Sequence, residues 1–460
     1  MYQIDFKKPM HIHFIGIGGI SMSGLALILL DQGFHISGSD VRESPLTKRR
    51  EEAGAILHYS QTGANIIEET PDLVVYTAAI HPDNPEYQAA ISNQIPLLSR
   101  AELLGQIMKN YRIPIAVSGT HGKTTTTSMA SHILLAADKN PTISVGGILK
   151  AIHGNIRVGG HDTFITEACE YTNSFLHFFP KISLILNIDA DHLDFFKDLE
   201  DIRHSFRQFA QKLPEDGTLI INQEIPDLQE ITKGLPCSII TYGLKNGSDY
   251  QALNISYDPL GCASFDVQKS GEILGHFSLK VPGEHNVSNA LAAIALSDLL
   301  EIPPRQIQKG LSDFQGTNRR FEKKGELGGV TVIDDYAHHP TEIIATLQAA
   351  RNYPHKTIWC VFQPHTYTRT KALMDEFAQA LTLADQVILA DIYAARETDT
   401  LGISSKDLAE KITALGTEAH YLPSFDAIEN YLLEHCVPGD LLITMGAGDV
   451  VKIGENLLGI

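Results

Sequence analysis

The sequence predicts three α/β units in series, each built on a largely parallel sheet. Three observations carry that reading. The chain has 460 residues, which at roughly 100–200 residues per domain suggests two to four domains with ample core-forming capacity. Strand-like apolar runs alternate with helix-like periodicity along nearly the whole length, the order that implies parallel strands with helical crossovers. Two of these strands end in glycine turns that open directly into helices.

The first unit, placed at residues 1–110, opens with the apolar run His11–Ile17, a glycine turn and helical periodicity through Leu25–Leu30. FHISGSD (34–40) reads as its second strand and DLVVYTAAI (72–80) as its third, the opening of a doubly wound sheet. The second unit, 111–317, starts with the buried-strand run IPIAVSG (113–119) and a glycine turn feeding a helix. Further strands are expected at DTFITEA (162–168), KISLILNI (181–188) and GTLIIN (217–222). Between 237 and 281, short strands around Asn-Gly-Ser, Asp-Pro-Leu-Gly and Ser-Gly suggest an antiparallel β annex, and HNVSNALAAIALSDLL (285–300) is a strong helix. The third unit, 318–460, offers strands at VTVIDDY (330–336), TIWCVFQ (357–363), QVILADI (386–392) and DLLITMG (440–446). Helices are expected between them, near 341–353, 370–383, 405–415 and 426–435.

Composition narrows the class of function. Thirty-six Lys+Arg against 55 Asp+Glu leave a net charge of −19, which excludes passive coating of nucleic acid or anionic membrane. An anionic substrate must therefore be caught by local donors. Five scattered cysteines, with no CxxC, argue for reduced thiols and against a disulfide framework or a zinc finger. No apolar run approaches the ~20 residues of a membrane span, and MYQIDFKKPMHIHFIGIGG lacks the features of a signal peptide. The expected compartment is the cytoplasm.

The most informative stretch is SGTHGKTTTT (118–127). A strand aims the loop, and glycines let backbone N–H groups turn toward an anion. Lys123 would set a point charge on β/γ-phosphates and the Thr124 hydroxyl would complete a Mg²⁺ shell. Val117 occupies the place of the first glycine of GxxxxGK[ST], and Gly119 instead precedes Gly122 by three. Nearby strand ends carry Glu167, Glu170, Asp189, Asp191 and His192, oxygen ligands suited to Mg²⁺ with one imidazole to join them. The earlier turn, Gly16-Ile-Gly18-Gly19-Ile-Ser21, resembles GxGxxG with serine in the third place. Asp40 stands where a ribose-binding acid is expected. By spacing it is a dinucleotide or nucleotide-diphosphate site, or a close-packed turn without ligand. In the third unit IDDYAHHPTE (333–342), FQPHTYTRT (362–370) and NRRFE (318–322) set histidines, aspartates and guanidiniums at strand ends and at the domain junction.

HFIGIGGISMSGLA, ISGSD, SGTHGKTTTT, EACEY, NIDADHLDFF, GEHNVSNALAA, GTNRRFE, DDYAHHPTE and FQPHTYTRT occur in this order. Together they resemble the Mur ligase family over nearly the whole chain. The resemblance implies a Rossmann-like nucleotide-sugar domain, a central P-loop ATPase-like domain with the β annex, and a Rossmann-like C-terminal domain that binds the amino acid and closes on ATP. It places Gly119, Thr120, His121, Gly122, Lys123, Thr124 and Thr125 around the ATP phosphates, with His285, Asn286 and Asn289 beside adenine and phosphates. Thr124, Glu167 and His192 match magnesium-associated positions. Arg320 and Asp335 match the functional Arg and Asp, and the catalytic set is Lys123, Glu167, His192, Arg320, Asp335 and His338. Tyr336, His365 and Arg369 would face the amino acid. The first turn changes meaning: Gly16, Gly18, Gly19 and Ser21 would face the diphosphate of a UDP-sugar, with Asp40, Thr77, Ala78 and Arg100 in the same site.

Two positions depart from the family pattern. Thr366 follows His365 where the alanine-adding branch often has arginine, which gives Arg369 more of the amino acid's carboxylate. EACEY replaces EADES, which makes Glu170 the second acidic partner and Cys169 a packing residue. The implied activity is ATP- and Mg²⁺-dependent joining of L-alanine to the lactyl carboxylate of UDP-N-acetylmuramate through an acyl phosphate. The implied partners are those two small molecules, acting on a monomer or weak homodimer. A ligase that reattaches recycled tripeptide to the same sugar nucleotide is the nearest alternative. A non-catalytic NTP switch and an NAD-dependent oxidoreductase are alternatives of other classes.

Overall fold

The computed structural model describes residues 2–395, 397–399 and 401–460. Their strands form three sheets. The first has five parallel strands in the order Ile56–His58, His35–Ser39, His11–Ile15, Leu73–Tyr76, Leu97–Ser99. The third has six. An antiparallel hairpin, Glu322–Leu327 with Val330–Asp335, leads into parallel Leu441–Met445, Ile358–Phe362, Gln386–Leu389 and Glu418–Tyr421.

The second sheet is the largest, with ten strands. Its centre is parallel: Thr142–Leu149, Thr163–Ala168, Ile113–Ser118, Ile182–Ile185, Thr218–Asn222 and Ser238–Gly243. The expected β annex is Tyr250–Tyr257, Cys262–Lys269 and Glu272–Pro282, antiparallel among themselves. It extends the same sheet, because Tyr250 and Gln251 pair in parallel with Tyr242 and Gly243. The run IPIAVS is apolar throughout because both its faces are covered. Ile115 and Val117 enter one core and Ala116 the other.

Several expected elements are shorter than the runs that suggested them. TAAI leaves the strand at Tyr76 and turns, Ile80 N–H donating to Thr77 O at 3.1 Å. The helix expected over 370–383 is two, Tyr367–Ala372 and Met374–Leu381. Leu373 caps both, its N–H on Arg369 O and its carbonyl on the Phe377 N–H. The edge strands Glu418–Tyr421 and Gly154–Arg157 carry no long apolar run and escaped the sequence reading.

How the sheets join matters for the site. The first and second share one core, which runs from Ile12, Phe14 and Leu29 through Leu103, Leu104 and Ile107 to Phe175, Phe178 and Phe206. The helix Arg100–Met108 lies so close to the Tyr171–His177 segment that a first side-chain carbon on Gly105 would stand 2.0 Å from His177 O. The third unit has two cores of its own. Polar contacts across its boundary with the second include Arg369–Asp191, His339–Ala190 and His121–Glu342.

Candidate active site

Parallel strands deliver their C-terminal ends to one edge. Ile113–Ser118, Thr163–Ala168 and Ile182–Ile185 are adjacent, with Ser118 opposite both Ala168 and Ile185. The 118–127 loop leaves the first of these. Gly119 (φ 143°) and Gly122 (φ 82°) take backbone angles that side chains rarely adopt. At Gly122 a side-chain carbon would also stand 2.5 Å from Asn289 Oδ1. The next strand end anchors the loop. Asn187 Oδ1 accepts the His121 N–H at 2.7 Å and Asn187 Nδ2 donates to His121 O at 3.0 Å. The Thr120 N–H donates to Asn187 O at 3.2 Å, and Thr120 Oγ1 accepts the Asp189 N–H at 2.9 Å.

Lys123 opens the helix Lys123–Ala136. Its ammonium donates to Gly119 O at 2.5 Å, Thr120 O at 3.0 Å and Glu170 Oε2 at 3.0 Å. Burial opposes the charge, but the Glu170 carboxylate outweighs it and holds the ammonium above the ordinary lysine range. Thr124 Oγ1 donates to Glu167 Oε2 at 3.1 Å, and Gly146 N–H donates to Glu167 Oε1. Burial pushes the Glu167 carboxyl up. Cys169 packs beside these groups as a protonated thiol, pushed up to about 11 by burial.

A cleft of about 200 Å³ lies between the loop and the third unit, lined by His121, Gly122, Thr125, His285, Asn286, Asn289, Arg320, Asp335 and Glu342 among others. The two asparagines brace it. Asn286 Nδ2 donates to Pro282 O at 2.7 Å, Asn289 Nδ2 to Asn286 Oδ1 at 3.1 Å, and Thr126 Oγ1 to Asn289 Oδ1 at 3.3 Å. The guanidiniums of NRRFE separate. Arg319 is structural, donating to Asp334, Gly446 O and Gly448 O. Arg320 faces the cleft, 3.6 Å from Glu342 Oε1. Asp335 accepts N–H bonds from Phe321 and Ala337 at 2.7 and 2.8 Å, and burial pushes it up to about 6 against the pull of Arg320.

A second cleft of about 450 Å³ adjoins, lined by Tyr171, Asp191, His192, His365, Thr366 and Arg369 among others. Arg369 donates from Nε and Nη2 to Asp191 Oδ1, at 3.1 and 2.9 Å, and from Nη1 to His365 Nδ1 at 3.2 Å. Asp191 stays charged, because Arg369 overcomes its burial and holds it well below the usual carboxylate range. Thr366 has φ 68° and ψ 144° and caps the short helix that carries Arg369. For a β-branched residue that is strained backbone, set at the mouth of the cleft. His192 stacks on Tyr171 at 4.5 Å, with Nε2 3.8 Å from Glu170 Oε1. Tyr336, expected at the amino acid, does not line this cleft. Its ring faces the guanidiniums of Arg319 and Arg320 at 4.9 and 5.4 Å.

The first glycine turn lines neither cleft. Gly16 has φ 83°, with Thr77 against it. Asp40 is taken up by the turn itself, Oδ2 accepting the Gly18 N–H at 2.8 Å and Oδ1 the Val41 N–H at 2.8 Å. Arg100 Nη1 donates to Ser21 Oγ at 3.2 Å, while Gly19 and Ala78 are exposed beside it.

Three consecutive stretches match family models. Residues 11–112 match the Mur ligase family catalytic domain, 117–297 the Mur ligase middle domain and 319–448 the Mur ligase glutamate ligase domain. The chain is 61% identical over 458 residues to the UDP-N-acetylmuramate–L-alanine ligase of Agathobacter rectalis, all of each chain being covered. The chain is a Mur ligase. The enzyme of that name from Lachnospira eligens is 60% identical, again over all of both chains. The crystal structure of UDP-N-acetylmuramate-alanine ligase MurC from Thermotoga maritima superposes with TM-score 0.80 at 31% identity, covering 98% of each chain. A murein peptide ligase from Psychrobacter arcticus gives 0.71 at 28% over 98% of each.

The donor set of this Mur ligase fits a hard cation. The half-buried Glu167 carboxyl is drawn by the Lys123 and Arg320 charges, the Thr124 hydroxyl adjoins it, and the His192 imidazole stands near Glu170. Among the described residues no group of three or more His, Cys, Asp or Glu is placed to hold a metal ion. A bound Mg²⁺ would therefore complete its shell with substrate oxygens and water. The sequence reading missed Asn187, the Arg369–Asp191 pair and Glu342. Asn187 stands two residues beyond a strand end in the quoted NIDADH run, and Glu342 closes the quoted DDYAHHPTE run, so the signal was present without a partner to explain it.

Proposed function

We propose that this Mur ligase joins L-alanine to the lactyl carboxylate of UDP-N-acetylmuramate, converting ATP to ADP and phosphate, in peptidoglycan precursor synthesis. The whole-length 61% identity to an enzyme of that name carries the reading. The two adjoining clefts suit it, one beside the phosphate loop and one around Arg369.

The lactyl carboxylate attacks the γ-phosphorus of ATP, forming an acyl phosphate and releasing ADP. The alanine amine then attacks the acyl carbon, and the tetrahedral intermediate expels phosphate. Phosphoryl transfer needs positioning and charge neutralisation more than covalent help. Lys123, at the start of the helix Lys123–Ala136, and Arg320, in the cleft, supply positive charge. The first N–H groups of that helix are available to the phosphates, because the Thr120 and His121 N–H groups are held by Asn187. Thr124, Glu167 and His192 would hold Mg²⁺, which neutralises phosphate charge when bound. Arg369, held by Asp191 through Nε and Nη2, would offer Nη1 beside His365 to the carboxylate of alanine.

His338 accepts the amine's proton. Its Nδ1 is 3.0 Å from Tyr336 O, which can only accept, so Nδ1 carries the hydrogen and Nε2 the lone pair. Burial keeps the unliganded ring neutral, down at about 4 despite the neighbouring Glu342. That frees the lone pair but leaves a weak base, which the anionic groups of bound substrates would raise. Both nitrogens of His339 are engaged, Nε2 with Ala190 O and Nδ1 with the Thr341 N–H.

We place the domain boundaries near residues 110 and 317, the UDP-sugar on the Gly16–Ser21 turn, and the enzyme in the cytoplasm, where ATP and reduced thiols are found. All five cysteines are free, and no helix among the described residues is long and apolar enough to cross a membrane. We propose a monomer or weak homodimer. Incubation with ATP, Mg²⁺, UDP-N-acetylmuramate and either single amino acids or the recycled tripeptide, followed by mass spectrometry, tests the reading. The expected product carries one alanine; a product formed only with tripeptide overturns it. One methyl is worth only about 1–3 kcal/mol, so slower products with glycine and serine are expected.

A further inference from the structure

Glu342 lies in the first turn of the helix Pro340–Asn352, its side chain 12% exposed, and its two oxygens point to different halves of the chemistry. Oε1 is 3.4 Å from Nδ1 of His121, on the phosphate loop, and 3.6 Å from Nη1 of Arg320. Oε2 accepts the backbone N–H of His338 at 3.1 Å and stands 3.3 Å from His338 Nδ1. One carboxylate thus touches the loop that takes the nucleotide, the guanidinium that faces it, and the imidazole on the amine side. His121 and Glu342 belong to different domains, so the contact exists only when the third unit sits against the second.

We propose that Glu342 is a positioning residue that ties the nucleotide side of the site to the amine side. Through Oε1 it sets Arg320 and the phosphate loop in register across the domain boundary. Through Oε2 it reinforces the Nδ1–H form of His338 that Tyr336 O selects, so Nε2 faces the incoming amine as an acceptor. The inference rests on the proposed ligase reading and deepens it. It makes proton acceptance from the amine conditional on the geometry that activates the carboxylate.

The test separates the two sides with a second nucleophile. Hydroxylamine is largely unprotonated at neutral pH, so it captures the acyl phosphate without needing a proton acceptor for an ammonium group. In Glu342→Gln, turnover with L-alanine is expected to fall about tenfold or more, and turnover with hydroxylamine much less. A purely structural role would lower both equally. The nucleotide side is read by a double-mutant cycle with His121→Asn on hydroxylamine turnover, where a shared link makes the two losses non-additive. An alanine-to-hydroxylamine ratio unchanged within about twofold, or additive losses in the cycle, overturns the proposal. Should Glu342→Gln fail to fold, Glu342→Asp serves in both arms, since its shorter side chain cannot reach both sides. If the unaltered chain makes no product with either nucleophile, the ligase reading itself fails. The His121 cycle is then read on ATP affinity by calorimetry.

Discussion

At the scale of single residues, the structure changes what removal of the phosphate-loop lysine should do. Lys123 is the counter-charge of Glu170, a carboxylate only 2% exposed. Lys123→Ala is expected to abolish alanine-dependent ADP release and also to lower stability by as much as about 3 kcal/mol, because a buried charge loses its partner. Adding Glu170→Gln should restore thermal stability but not turnover. A single variant that still releases ADP would remove Lys123 from the mechanism. Gly122→Ala makes a sharper case. The left-handed backbone and the 2.5 Å approach to Asn289 Oδ1 leave no room for a methyl group, so ATP affinity by calorimetry should fall about tenfold or more, for strain of about 1–3 kcal/mol. Residues such as these were legible in the sequence because backbone chemistry restricts them wherever they occur. Glu342 and Asn187 were not, since their importance lies in partners far away along the chain.

Elements set these residues in place by packing rather than by propensity. The first sheet is closed by Glu86, which is fully buried in the helix Pro85–Ser92. It accepts from Ser39 Oγ at 2.5 Å and Asn65 Nδ2 at 2.6 Å and stands 3.4 Å from His13 Nε2. Glu86→Ala strands those groups and should cost about 1–3 kcal/mol in denaturant unfolding, with the phosphate loop unaffected. The helix Glu284–Leu299 plays the matching part in the second unit, since Asn289 reaches Thr126 and backs Gly122. The central parallel strands were legible because runs buried on both faces must be apolar, whereas the short Ile56–His58 and Leu97–Ser99 and the glycine-interrupted Thr142–Leu149 were not. Edge strands, half solvated, leave no such trace, and neither does the break at Leu373.

The whole molecule divides unequally. The first two units share one apolar core, whereas the third meets the second through polar contacts beside the clefts. Motion should therefore occur between the second and third units, and closure on ATP should lower the radius of gyration in solution scattering. His121 makes this boundary sensitive to pH. Burial opposes its charge, but the carboxylates of Asp189 (3.2 Å) and Glu342 (3.4 Å) outweigh it and push it up to about 9 from 6.5. A raised value means that the stabilisation is complete below about 6.5 and is lost as pH rises through about 9. Ligand-free enzyme is expected to expand and melt earlier between about pH 8 and 10, and His121→Asn to remove that dependence. A radius and melting temperature that do not change across this range would exclude the His121 contacts as what holds this boundary.

By itself the sequence determined the class of fold, the parallel sheets, the phosphate loop and the kind of chemistry. Each of these is written in local order: apolar runs, glycine at forced backbone angles, charged groups just past strand ends. Only the tertiary structure decided which charges meet. It drew Arg320 to the cleft and Arg319 away from it, gave Arg369 to Asp191, turned Asp40 onto its own loop and shared Glu342 between two domains. Hydrogen bonds and ion pairs act over a few ångströms in space, and the folded path of the chain alone sets which residues come that close.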